Sequence, residues 1–187
     1  MSVKFAHLHV HTSYSALAST VHIEDLFKKA KEYGLPAVAM ADHGNLCGVI
    51  EFMTEAKKAG VKPIYGCDVY LKLEGAPETV KFPYTRLTLL AMNQVGFQNL
   101  VHLVSQSYLE GRAQRPLMLK SWIEERSEGL ICLSGGLKGE VGYHLLHNKE
   151  EQAEAEFEWL RKTFGDRLYA ELQENNLSEQ TRINEWL

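Results

Sequence analysis

Near its start the chain alternates three histidines with apolar residues, in the run His7-Leu8-His9-Val10-His11. The stretch from Val3 to His11 reads as a β-strand, and residues two apart on a strand point to one face. His7, His9 and His11 then share a face, with Leu8 and Val10 on the other. Imidazoles this close together form an array suited to a metal ion. One buried histidine is more simply a hydrogen-bonded core residue; three on one face fit that reading poorly.

More carboxylates and imidazoles stand where later strands should end: Asp42 with His43, then Asp68, then Glu171. Neutral imidazole and carboxylate oxygen together suit Zn2+ or Mn2+. Such ions activate water for attack on a phosphate ester and neutralise the charge that develops. His7 and Asp42 are candidates to orient a ligand imidazole rather than to bind the ion. Plainer readings stand beside these. Asp42-His43-Gly44-Asn45 is equally a strand-to-helix turn with Asn45 as N-cap, and Asp68 is equally a loop carboxylate. His22, His102, His144 and His147 fall on expected helices or their approaches, as surface or packing residues. Lys28, Lys29 and Lys31 read as a solvated helix face. Arg112, Arg115 and Lys120 read as a solvated loop, with contact to a phosphate backbone as the alternative.

The elements that must position these groups alternate along the chain. Ile23 to Tyr33 has helical periodicity, with Glu24 and Asp25 in its first turn and Gly34 and Pro36 to end it. Ala37 to Ala41 is a buried strand, Leu46 to Ala59 a helix closed by Gly60, and Pro63 to Asp68 a third strand that Val69 to Glu74 can extend. The two units echo each other: helix, glycine cap, proline, strand, carboxylate. A Gly75/Pro77 loop leads to a strand from Arg86 to Met92 and a helix marked by Phe97, Leu100, Val101, Val104 and Tyr108. Gly111 to Lys120 is a loop. Trp122 to Ser127 and Gly139 to Leu146 are short helices around a strand at Leu130 to Ser134. Asn148 and Glu151 have capping-box spacing and open a helix closed by Gly165. A sixth strand, Leu168 to Leu172, and a helix from Ser178 to Leu187 end the chain. Apolar strands alternating with helices indicate a parallel α/β sheet, with its site at the carboxyl ends of the strands.

The bulk properties narrow the class. The chain has 187 residues, 45% hydrophobic and 24% charged, which suits one globular domain with a real core. A net charge of -4 argues against a dedicated nucleic-acid-binding module. No apolar stretch is long enough to span a membrane, and no signal peptide is legible. Cys47, Cys67 and Cys132 form neither a CxxC motif nor an even set, as expected in a reducing cytoplasm.

At these motifs the chain resembles the PHP (polymerase and histidinol phosphatase) domain found at the N-terminus of bacterial DNA polymerase III alpha subunits. HLHVHTSYS at 7–15, ADHGNLCGVIEF at 41–52, AGVKPIYGCDVYL at 59–71, LTLLAMNQVGFQNLVHLVSQSYLEG at 87–111 and EGLICLSGG at 128–136 carry the likeness. It implies an α/β fold, a distorted TIM-like (β/α)7 barrel with a trinuclear metal site. Six strands do not close such a barrel, so the reading is a PHP domain over 1–187, truncated before its last strands, with the polymerase domains absent. An exposed sheet edge would leave the isolated chain poorly soluble or partly unfolded.

Carried over by motif, the family's ligands fall on His9, His11, His43 and Asp68, and a usual glutamate is replaced by the shorter Asp68. Three further ligand positions are degenerate, at Ala18, Arg86 and Gly136. Arginine has no lone pair for a metal, so the resemblance implies one or two ions rather than three. The implied function is DNA synthesis in replication by the full-length nucleotidyltransferase, at a downstream Mg2+ site. This portion would serve mainly as a support and a docking surface for the proofreading exonuclease, among the other holoenzyme subunits. Rival readings are an active metal-dependent phosphoesterase or 3′-5′ exonuclease, and a histidinol-phosphatase-like enzyme, against which the long 87–111 match argues.

Overall fold

A computed structural model describes residues 5–75, 83–111 and 115–187. Val3, Lys4, Pro77 and Arg112, used in the sequence reading, lie outside the described residues. The order is α1 (Ile23–Glu32), β1 (Ala37–His43), α2 (Val49–Ala59), β2 (Lys62–Lys72), β3 (Tyr84–Ala91), α3 (Gln94–Leu109), β4 (Leu117–Met118), α4 (Lys120–Glu125), β5 (Leu130–Leu133), α5 (Glu140–Leu146), α6 (Glu150–Phe164), β6 (Leu168–Tyr169) and α7 (Ser178–Trp186). Short 3-10 turns occupy Gly136–Lys138 and Gly165–Arg167.

Local chemistry explains the helix limits. α1 has Glu24 and Asp25 at its N-terminal turn and Lys29 and Lys31 at its last, each complementing the helix dipole. Gly34 and Gly60 end α1 and α2 with positive φ, +65° and +72°, as a left-handed C-terminal turn requires.

The sheet runs β1-β2-β3-β5-β6. β1 and β2 are parallel, as are β5 and β6, while β3 is antiparallel to both of its neighbours. The expectation of a wholly parallel sheet is therefore corrected. The connection from Lys72 to Tyr84 is shorter than the dozen or so residues a parallel crossover needs, so β3 folds straight back on β2. β4, inside the segment read as a loop, pairs with β2 at Tyr70 and Leu71, beyond the end of β1. The segment before β1 is less regular than expected. His7 bridges Val38, and Ala39 and Ala41 N–H donate to the His7 and Val10 carbonyls, both at 2.8 Å. It thus lines the free edge of β1 in parallel.

Period-two alternation divides the sheet into two faces. Val38 and Met40 meet Ile23, Phe27 and Phe52 of α1 and α2. Cys67, Val69, Leu87, Leu89 and Cys132 meet Leu100, Leu103, Leu160 and Phe164 of α3 and α6. The opposite, inner face holds a smaller core of Ala39, Leu90 and Leu133 with Ile64 and Ile131. The sheet curls around that face. His9, on the segment along one edge, lies 2.7 Å from Glu171, just past β6 on the other.

Two cap assignments change. α2 starts at Val49, and Asn45 instead holds the preceding turn, accepting from Cys47 N–H at 3.0 Å and donating to the His43 carbonyl at 3.0 Å. The Asn148 capping box is not formed: Lys149 is the N-cap, and Asn148 sits at φ +54° with its side chain accepting from Arg182. β6 is also shorter than read, at two residues.

α3 packs hard against the turn before β5. A Cβ on Gly96 would stand 1.8 Å from the Gly129 carbonyl oxygen, whereas one on Gly60 meets nothing within 4 Å. Gly96→Ala should lower the unfolding free energy by about 3 kcal/mol through overpacking. Gly60→Ala should lower it by about 1 kcal/mol, through its left-handed backbone alone. Urea denaturation of the two variants checks this, and equal losses would contradict it.

Candidate metal centre

The β1–β2 register sorts the strand-end residues. His43 pairs with Asp68 and Asp42 with Cys67. Neighbours across a ladder share a face, so His43 and Asp68 both turn inward and Asp42 turns away. The apparent echo of Asp42 and Asp68 is thus one residue out of phase: His43, not Asp42, is the counterpart of Asp68. Asp42 is fully buried and accepts from Thr12 N–H at 2.6 Å, Thr12 Oγ1 at 2.7 Å and Ser15 Oγ at 2.5 Å. Ser15 Oγ in turn accepts from His43 N–H at 3.0 Å. Asp42 therefore fixes the turn that directly follows His11; its described bonds go to that turn and not to an imidazole.

One oxygen gathers the inward groups. Asp68 Oδ2 lies 3.0 Å from His43 Nδ1, 3.0 Å from Arg86 Nη1, 3.4 Å from His11 Nε2 and 3.7 Å from His9 Nε2. Burial by itself raises the pKa of Asp68. The contacts with His11, His43 and His9 and the charge of Arg86 outweigh it and hold the carboxyl well below its usual range. His9 also meets Glu171 Oε1 through Nδ1 at 2.7 Å and His11 through Nε2 at 3.2 Å. Burial pulls the His9 pKa down, but the bonds to Asp68 and Glu171 prevail and lift it to about 9. Glu171 shows the mirror image: burial raises it, and His9 and Gln173 together bring it below the ordinary value. Gln173 Nε2 donates to Glu171 Oε1 at 2.9 Å.

The residues fit a divalent cation. His9, His11 and Asp68 each offer a ligand atom within 4.8 Å of the others'. Asp68 Oδ1 and Glu171 Oε2 are buried without a hydrogen-bond partner among the described residues. Unpartnered buried acceptors are costly, and a cation is a partner of the kind these oxygens lack. The imidazole and carboxylate set suits Zn2+ or Mn2+, which when bound supplies Lewis acidity and an activated water. The Arg86 guanidinium lies 3.0 Å from the same Asp68 oxygen, and its fixed positive charge opposes a cation placed there.

The remaining sequence candidates separate. His7 is exposed, its ring against Phe5 at 4.8 Å, and it does not join the cluster, so it orients no ligand. Ala18 is exposed at the lip of a neighbouring cleft. Gly136 lies beside the Gln173 amide, 3.4 Å from where its Cβ would be, so glutamine carries polar chemistry next to this position. Lys28, Lys29 and Lys31 are solvent-facing as read. Lys120 is not on a solvated loop: it pairs with Glu140 at 2.8 Å and with Glu156. Thr12, Ser15, Thr88 and Gln173 were not singled out from sequence. Only the hydroxyl-rich run after His11 hinted at any of them.

Metal ligation needs neutral imidazole. His9 holds its proton up to about pH 9, so Zn2+ affinity should rise with pH from about 6.5 toward 9, with proton release on binding. The sign for stability is opposite. A folded pKa raised above the unfolded value of about 6.5 contributes stability that is fully present below pH 6.5 and lost as pH passes 9. Chelator-treated protein should therefore melt at a lower temperature at pH 9.5 than at pH 6.5, by a margin that His9→Gln reduces. Calorimetry at both pH values checks this, and an unchanged margin in the variant would remove His9 from the cluster's energetics.

Comparison with known proteins identifies the family. The PHP domain family profile matches residues 7–175. The DNA polymerase III alpha subunit of Borreliella burgdorferi is 43% identical over 98% of this chain, and that of Thermus aquaticus 41% identical over 99%. The chain spans 16% of the length of each. An amidohydrolase structure from Chromobacterium violaceum, with bound sulfate and no metal, superposes with a TM-score of 0.42 at 14% identity, over 82% of this chain and 43% of that one. No described helix is long and apolar enough to cross a membrane. With the matching profile across nearly its whole length and the His-rich inner cluster where its strands end, the chain belongs to the PHP domain family.

Proposed function

We propose that this chain is the N-terminal PHP region, residues 1–187, of a bacterial replicative DNA polymerase alpha subunit. The observation that carries this reading is the 43% identity to such a subunit along 98% of the chain. The full protein then extends DNA in the cytoplasm at a Mg2+-dependent site outside these residues. It works with DNA, the proofreading exonuclease and other holoenzyme subunits as partners.

Within that assembly the PHP region acts mainly as a support and docking surface for the exonuclease. Its centre retains His9, His11, His43 and Asp68, with room for one Zn2+ or Mn2+. The degenerate positions Ala18, Arg86 and Gly136 account for the missing ions. Arg86 supports this most directly, since its Nη1 is 3.0 Å from the Asp68 oxygen that the imidazoles share.

A second reading, an active metal-dependent phosphoesterase or 3′-5′ exonuclease, draws on the two unpartnered buried oxygens of Asp68 and Glu171. Metal analysis of the full-length polymerase separates the two. The support role predicts no more than one Zn2+ or Mn2+ per chain, apart from the Mg2+ of the polymerase site, and no chelator-sensitive release of nucleotides attributable to this region. Two or more such ions, with hydrolysis abolished by His9→Ala, would sink it.

A further inference from the structure

Beside the metal centre a cleft of about 610 Å3 opens between the Ser15–Ala18 turn, the end of β2 and the start of β3. Three cations line it, Arg86, Arg115 and Lys138, and no carboxylate does so among the described residues. This runs against the net charge of -4 carried by the chain. Arg86 engages Asp68 and His43 through Nη1 alone. Among the described residues its Nε and Nη2 have no hydrogen-bond partner, which leaves half of a fork that suits phosphate oxygens. Arg115 and Lys138 are exposed and have no ion-pair partner among the described residues.

The opposite wall is aromatic. Tyr70 and Tyr84 pack edge to face at 5.1 Å, and the Arg115 guanidinium sits over the Tyr70 ring at 5.4 Å. Tyr14 and Tyr108 also line the cleft, 39% and 50% exposed. Leu17 overhangs it. This residue holds a left-handed backbone, φ +74°, and its side chain is fully exposed at 106%. For a leucine that conformation costs about 1 kcal/mol, and no packing within the fold offsets it. A flat apolar body lying in the cleft would.

We propose that this cleft binds a nucleotide without the help of a metal ion. The phosphate would lie against Arg86, Arg115 and Lys138, and the base against the tyrosines beneath Leu17. The guanidinium beside Asp68 then supplies the positive charge that a second cation would otherwise bring to a phosphate. The ligand is either a free nucleoside monophosphate or the terminal nucleotide of a single strand, which share this chemistry. The inference goes beyond the support role and does not depend on metal occupancy.

Photo-crosslinking on the full-length polymerase in excess chelator tests it, with crosslinked peptides mapped by mass spectrometry. The probes are 5-iodo-deoxyuridine monophosphate, the same nucleoside without phosphate, and a short oligonucleotide ending in iododeoxyuridine. The expected result is a crosslink to peptides containing Tyr14, Tyr70, Tyr84 or Tyr108, from the monophosphate or the oligonucleotide but not from the nucleoside. The stronger of the two identifies the source. Arg115→Ala with Lys138→Ala, both surface changes, should weaken that crosslink at least about fivefold, and added salt should weaken it further. Absence of a crosslink in these peptides, indifference to the double variant, or a crosslink that appears only when Zn2+ or Mn2+ is restored would each overturn the proposal. The last outcome would leave the metal centre intact while removing the metal-independent site.

Discussion

A single buried carboxylate organises the inner face of this protein. Asp68 is 1% exposed, and an uncompensated charge at such a position costs several kcal/mol. The fold meets that demand through one oxygen, Oδ2, which faces three imidazoles and a guanidinium. These groups arrive on three separate pieces of chain, the segment along β1, β1 itself and β3, to meet Asp68 on β2. Their convergence depends on the curl of the sheet, and the curl brings Glu171 from the far edge to His9. Asp42 serves the same end from the opposite face, by tying down the turn after His11.

Arg86 changes the character of the centre. It stands opposite Tyr70 in the β2–β3 ladder, so its side chain emerges on the inner face with Asp68. A neutral ligand there would leave Asp68 dependent on a cation from solution. The guanidinium makes part of that neutralisation permanent, and Arg86 also lines the neighbouring cleft.

Much of this was legible in the sequence, unevenly. His9, His11, His43 and Asp68 could be named because the family motifs fall on them; strand alternation pointed to His9 and His11 but equally to His7. The helices were readable from periodicity and glycine caps, as at Gly34 and Gly60. Three kinds of feature were not readable. The reversal of β3 depends on a connection length, and the alternation of apolar runs looks the same in either direction. β4 is two residues paired to β2 beyond the end of β1, a tertiary accident of space rather than a local signal. Asn45 and Asn148 have capping chemistry, but asparagine serves turns as readily as helix ends, and here both hold turns. His7 failed for a related reason: the edge segment makes one regular bridge and does not continue as a ladder, so alternation does not carry its ring to the cluster.

The bond from His9 to Glu171 spans 162 residues of sequence. During synthesis on a ribosome, the histidine run emerges first and must wait for nearly all of the remaining segment before its partner exists. Early strands and helices can pair locally in that interval, since β1, α1 and α2 make their contacts with near neighbours in sequence. The contact between His9 and Glu171 cannot, because contacts of long sequence separation form late and slowly. A nascent chain halted before residue 171 would present His9 beside His11, His43 and Asp68 but without its second carboxylate, Glu171 from just past β6. The centre is in this sense a timer: it is complete only when both edges of the sheet are in place.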